Sequence, residues 1–451
     1  MARKKNLERA IILGLILSTG VYGSAWAAEG PINDDNWKSY ENKSYNTEAL
    51  IENNSGTEAA IKLENADDVT IKITTNGKYD ITLNSEGSGI RTQEDSTGGS
   101  ITLNAGKDNY IKFSGEGNGI DADSNLTITL KAVGNNKILS AENAGEDGVN
   151  LGEHQSGKIQ FTAGNSNVIK VTHDGIYTNK DSIAYSEYIA ESGNNEIESG
   201  NNGIDHRGSG DIILKAKKGA NIITAGTAKE VSNGSNQGDG IRIAGGGNVY
   251  LTGAYNNIKG FDEGIYVHES VVEKEIMLTA TAADEDGYGN IVIGEDNGIQ
   301  LDGAGKVNVL AQAGKNYIKG EKVAVNARNA GLVKIQAEDS NIINSEIYGL
   351  VSDVRDFGVN KEVAGEINLS ANVNNIIKAG VISSNIEEDN FADGLAIVSE
   401  NGGIINVEAG NENAVFGAVY AGGKAETKVS EVTLSGGKNE DGYEEWPGKE
   451  N

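Results

Sequence analysis

Apolar and polar positions alternate in short runs that return at a fixed interval along the chain. The clearest run is Ile101-Thr-Leu-Asn-Ala105, with Ile, Leu and Ala on one face and Thr and Asn on the other, the period-two pattern of a half-buried strand. Each copy of the cassette holds three runs. The first follows an Asp-Gly or Asn-Gly step, as at Asn118-Gly119, Asp147-Gly148, Asp174-Gly175, Asn202-Gly203 and Asp239-Gly240. Such a step predicts a turn in which glycine takes positive φ. The second run alternates, and the third starts at an asparagine two residues before its apolar anchor. In six copies the anchors of the second and third runs stand ten apart, from Ile101 and Ile111 through Ile128 and Ile138 to Ile405 and Val415.

The tightest spacings, Ile120 to Ile128, Ile128 to Ile138 and Ile169 to Ile176, sum to a turn of 25 residues. That leaves no room for a crossover helix between parallel strands, whereas three short strands joined by tight corners fit. A fixed period of this kind signals a solenoid. The expected fold is all-β, a right-handed parallel β-helix with three strands per turn and about a dozen rungs. One rung cannot bury its Ile side alone; stacking makes internal columns worth ~1.5–3 kcal/mol per side chain. The recurrent asparagine, Asn109, Asn136, Asn167, Asn195, Asn221, Asn257, Asn290, Asn316, Asn341, Asn375 and Asn413, is expected to form a ladder of stacked amides at one corner.

Four segments follow. Arg3, Lys4, Lys5 and Arg9 precede the apolar stretch Ile11–Leu17, and Ala25-Trp26-Ala27 gives a small-x-small pattern before Ala28. Residues 1–27 therefore read as a secretory signal cleaved between Ala27 and Ala28. Residues 28–58 lack the cassette and are expected to cap the first rung, residues 59–434 form the β-helix, and residues 435–451 are a polar tail. Insertions at Gly226–Gly238, Ala280–Asn290, Ser352–Gly365 and Ile382–Asp393 must be corner loops; any one of them reads as a plain loop first, and ligand contact is expected either along the whole rod or centred on these insertions.

Composition narrows the function. The chain has 61 Gly, no Cys, and only two Pro, Pro31 and Pro447, which bracket the array as strand ladders require. The formal charge is −28, and −31 without residues 1–27, which carry four basic side chains against Glu8. Nucleic acid and anionic lipid are poor partners for that field, and no later stretch is apolar enough to insert into a membrane.

The signal, the absent cysteines, the acidic Gly/Asn/Thr-rich coils and the Gly-Ile…Ile-Thr-Leu-x-Ala…Asn-x-Ile cassette resemble the passenger domain of type V autotransporters, the β-helical surface proteins of diderm bacteria. The resemblance covers the whole chain after residue 27. It implies export to the cell surface or medium, a rod that attaches to a host or bacterial surface glycan or protein, and self-association. The chain up to Asn451 carries no translocator barrel, so the expectation includes a separately encoded translocator, or a truncated or freely secreted passenger.

Catalytic signals are sparse, and the expectation is a rod without enzymatic activity, metal or cofactor. The runner-up is a polysaccharide lyase or hydrolase on the same scaffold. Its closest local match is Asp205-His206-Arg207, which faintly resembles an Ile-Asp-His segment of pectate lyases. His154, His173 and His268 lie in different cassettes, and aromatic and basic residues show no focus over a few rungs. Asp147, Asp174 and Asp239, all beside glycine, resemble what an oxygen-rich calcium site needs, but the nonapeptide calcium-roll pattern does not repeat and a plain turn is the preferred reading of Asp-Gly. No phosphate loop, His-Glu-x-x-His or Gly-x-Ser-x-Gly element is present.

Overall fold

A computed structural model describes residues 27–54, 58–141, 146–226, 238–354, 363–380, 394–422 and 429–436. The segment read as an export signal up to residue 26, most of the tail, and the insertions at 227–237, 355–362 and 381–393 lie outside the described residues. The described chain is a right-handed parallel β-helix of 41 strands in three sheets, with no α-helix. The strands after the Asp-Gly step form a first sheet of 13, the alternating runs a second of 14 and the Asn-led runs a third of 14. At about 4.8 Å per spacing the rod is roughly 60 Å long.

Register follows the cassette. Ile120 pairs with Ile90 and Val149, Ile128 with Ile101 and Ile159, and Ile138 with Ile111 and Ile169. Ile120, Ile128 and Ile138 are all fully buried, so every rung adds three apolar anchors to continuous columns. The column that runs through Ile73, Leu103 and Leu130 admits two aromatics, Phe161 and Tyr188, packed edge to face at 4.9 Å. Beside Tyr188 the isoleucine column steps down to Ser186, between Ile159 and Ile212, which makes room for the ring at constant core volume.

The rungs slightly exceed the dozen counted from cassettes, because chain without the motif also joins the sheets. In the segment expected as a cap, Ala27–Glu29 and Ala49–Asn53 pair with each other in the third sheet, and Lys43–Tyr45 pairs with Ile73–Thr75 in the second. A 3-10 turn, Trp37–Tyr40, buries Trp37 and Tyr40. Ala27 and Ala28, read as the cleavage site, lie in the first of these strands. At the other end Glu431–Ser435 pairs with the strand Ile404–Ala409.

The asparagine corner is a continuous amide ladder. Each Nδ2 donates to the Oδ1 of the next rung at 2.8–2.9 Å, from Asn109 to Asn136, Asn167, Asn195, Asn221, Asn256, Asn290, Asn316, Asn341, Asn375 and Asn413. One position corrects the sequence reading: Asn256, not Asn257, is the rung member, and Asn257 pairs with Ile222 on the outward side. The ladder begins at Asn109 because the preceding strand offers Ile81 there, which leaves the Asn109 Oδ1 without a partner.

The glycines of the Asp-Gly steps also differ from expectation. Gly119 and Gly175 do not have positive φ. A Cβ on Gly119 would instead lie 2.2 Å from Ile138 Cγ2 and 2.5 Å from the Gly148 carbonyl oxygen, and Gly175 meets the equivalent atoms of Ile197 and Gly203 at 2.2 and 2.5 Å. Glycine is required there by close stacking of rungs rather than by backbone handedness. The insertion at 280–290 is a self-contained turn, with Asp284 Oδ1 accepting from the Asp286 and Tyr288 amides and Gly287 at φ 85°.

Candidate functional site

Many strands of the first sheet are three residues long, pointing in, out and in. The residue after each Gly-Ile or Gly-Val therefore stands on the outer face. Stacking puts Asp121, Asn150, Tyr177, Asp205, Arg242, Tyr266, Gln300 and Asn326 in one column, roughly 34 Å long at one strand spacing per rung. Arg207, His268 and Arg328 flank it. All four described arginines, Arg91, Arg207, Arg242 and Arg328, and all four histidines lie on this sheet or within three residues of its strands. The sequence reading found no such focus, since these residues stand far apart along the chain. The residue following each Gly-Ile was the signal that could have revealed it.

Two adjoining cavities of about 550 and 590 Å³ lie along this face and share Tyr266. A connected set of charges and rings lines them. Asp205 is fully buried; its Oδ2 accepts from Arg207 Nε at 3.0 Å and Nη2 at 2.7 Å, and its Oδ1 lies 3.9 Å from Arg242 Nε. The Arg207 guanidinium sits 5.2 Å from the Tyr177 ring centroid and that of Arg242 5.6 Å from Tyr266, within cation–π range. Tyr266 also meets His268 edge to face. Further along, Asp302 accepts from Arg328 Nη1 at 3.0 Å and from Gln300 Nε2 at 2.9 Å.

Strand alternation divides the Asp205-His206-Arg207 segment. Asp205 and Arg207 line the groove, but His206 points into the core, with its Nδ1 2.8 Å from Thr178 Oγ1. Burial pushes its pKa down to about 4, so it stays neutral and cannot join the other two in one catalytic set.

The corner beside the groove carries a second ladder. Each Asp or Asn before a glycine accepts from the next rung's backbone: Asn118 Oδ1 from Asp147 N at 2.8 Å, Asp147 Oδ1 from Asp174 N at 3.2 Å, Asp174 Oδ1 from Asn202 N at 2.8 Å, and Asn202 Oδ1 from Asp239 N at 3.0 Å. His173 reaches back to Asp147, Nδ1 to Oδ1 at 2.7 Å. That hydrogen bond, opposed by burial, raises the His173 pKa to about 9. Burial first, and then the charge of Asp147, raise Asp174 to about 7.

Both shifts have the same sign in their effect on stability. The folded state holds the His173 proton between its ordinary pKa of 6.5 and about 9, and the Asp174 proton between 3.8 and about 7. In each window the native state binds more protons than the unfolded chain, so stability falls as pH rises. His206, whose folded pKa is depressed to about 4, acts with the opposite sign between about 4 and 6.5, so a Tm series is expected to decline most clearly from pH 6.5 to pH 9. Asp174→Asn should make the slope below pH 7 more positive than in the unaltered protein and His173→Gln should flatten the alkaline decline; slopes unchanged in both variants would refute the assignment.

No family model, curated protein or solved structure matches the chain.

Proposed function

We propose that this protein is an exported, surface-displayed β-helical rod of the adhesin type, and that the groove along the first sheet holds its ligand, an extended saccharide chain of a host or neighbouring cell. The observation that carries this reading is the outer column from Tyr177 to Asn326. It is the strip in which rings meet arginine–carboxylate pairs; the other two sheets carry outward tyrosines such as Tyr110, Tyr250 and Tyr317 but none of the described arginines. Sugar rings stack on tyrosine faces, and arginine–carboxylate pairs offer directed donors and acceptors to hydroxyls and acidic groups. The repeat cassette and the export signal support display outside the cell, as in the autotransporter passengers that the sequence resembles; the translocator would then be a separate partner.

The test is binding of the full chain to a glycan panel and to cells. Tyr177→Ala and Tyr266→Ala are each expected to weaken binding by about tenfold, or ~1.4 kcal/mol. Tyr110→Ala, on the outer face of the third sheet, should leave it unchanged. Attachment that survives both groove substitutions and disappears on deletion of Ser352–Gly365 would place the site on that insertion instead.

A second reading, a glycan-cleaving enzyme, is favoured by one feature. Asp174 titrates near neutrality in the same groove as Asp205, which is held by arginine, and a pair of carboxylates in unlike environments is what acid–base cleavage of a glycosidic bond employs. New reducing ends or unsaturated products, lost in Asp174→Asn, would select this reading over simple attachment.

A further inference from the structure

The corner ladder repeats one device. On two successive rungs the residue preceding the corner acid or amide reaches back to the corner carboxylate of the rung before. His173 does this to Asp147 at 2.7 Å, and Asn201 Nδ2 donates to Asp174 Oδ1 at 2.8 Å. Both are donors, as a buried carboxylate needs. At Asp239 the pattern changes, because the residue in the same position of the next rung is Asp262, which precedes Glu263. An ionised carboxylate only accepts.

Asp239 registers the missing donor. It is fully buried, its Oδ1 accepts from Glu263 N at 3.3 Å, and its Oδ2 has no hydrogen-bond partner. Glu263 is also buried, its Oε1 accepting from Asn297 Nδ2 at 2.9 Å. One oxygen from each of Asp239, Asp262 and Glu263 lies within 4.8 Å of the others. Arg207 pairs with Asp205 and Arg328 with Asp302, while Arg242, 3.9 Å from Asp205 Oδ1, acts on Asp239 through space without a hydrogen bond to its Oδ2. Where His173 brings a positive nitrogen between two corner acids, this corner gathers three acids.

We propose that Asp239, Asp262 and Glu263 bind a divalent cation of the calcium class between the two halves of the groove. The donor set is oxygen alone, which selects a hard cation over zinc or copper. Three carboxylates supply up to six oxygens, and half-exposed Asp262 leaves the ion open to water for the remaining positions. The ion takes the place that His173 and Asn201 fill on earlier rungs. This assignment does not depend on what the groove binds.

The test uses the full chain freed of metal by chelator, with calcium returned at constant ionic strength. The Tm of the unaltered protein is expected to rise with the logarithm of calcium concentration, and terbium should bind with emission sensitised by Tyr266, which borders the same cavity as Glu263. Asp262→Asn restores the donor that Asn201 provides, so it should raise the metal-free Tm and abolish the calcium response. Glu263→Gln should weaken terbium binding by at least about tenfold. An unaltered protein indifferent to millimolar calcium would overturn the proposal in favour of a proton shared between the acids. So would an Asp262→Asn variant that responds to calcium as the unaltered protein does.

Discussion

Replacing Ile128 with aspartate is expected to destabilise its part of the rod by about 5–8 kcal/mol. Ile128 is fully buried between Ile101 and Ile159 in the second-sheet column. The substitution removes about 1.5–3 kcal/mol of apolar burial and leaves an unpaired charge in the core, worth a further ~3–5 kcal/mol. The carboxyl can escape part of that cost by staying protonated. Its folded-state pKa then lies above the ordinary value, and the variant should recover stability as pH falls from 7 to 4. Lys131→Asp, on the same strand but exposed, should stay within about 0.5 kcal/mol of the unaltered protein. Urea unfolding at the two pH values, with hydrogen exchange of the neighbouring strands, measures both. In a solenoid the loss is carried by the rung and its neighbours, so protection should drop around residues 101–169 before it does at the ends. An Ile128→Asp protein as stable as Lys131→Asp would mean that the register of the array is wrong.

The fold was legible because stacking leaves a local trace in every copy. Ile120, Ile128 and Ile138 are apolar where the column needs them, and the corner asparagine recurs at the one place where its amide can bond to its own kind above and below. The groove was not legible in that way, for a physical reason. Its members are one residue per rung, 24 to 37 positions apart along the column from Tyr177 to Gln300, and their chemistry exists only once the rungs are superposed. Asp205 and Arg207 were visible as neighbours; that Arg242 approaches Asp205 and Tyr266 stacks on Arg242 was not. His206 shows the converse. Adjacency in sequence suggested a shared site, and strand alternation sent it to the opposite face. The cap region was obscured because Ala27–Glu29 and Lys43–Tyr45 pair in the sheets without repeating the cassette.

The same distinction between sequence neighbours and rung partners makes the asparagine ladder a sensitive probe. Asn256→Ala is expected to cost about 2–4 kcal/mol and Asn257→Ala less than about 0.5 kcal/mol. Asn256 receives from Asn221 Nδ2 and donates to Asn290 Oδ1, both at 2.8 Å, and is fully buried. Truncation leaves one buried donor and one buried acceptor unpaired, at ~1–3 kcal/mol each, partly offset where water enters the gap. Asn257 lies on the outward side of the same strand, between Ile222 and Ile291. The two asparagines were confused because the corner before this strand is one residue shorter than usual. Val249 to Asn256 spans seven positions where Ile101 to Asn109 spans eight. The Asn-x-Ile spacing nevertheless holds, since Asn256 stands two before the inward Ile258. Thermal or urea unfolding of the two single variants decides it. Equal costs would show that the amide column contributes nothing beyond what the backbone ladder already provides, whereas the expected asymmetry would assign the stability to the side-chain ladder itself.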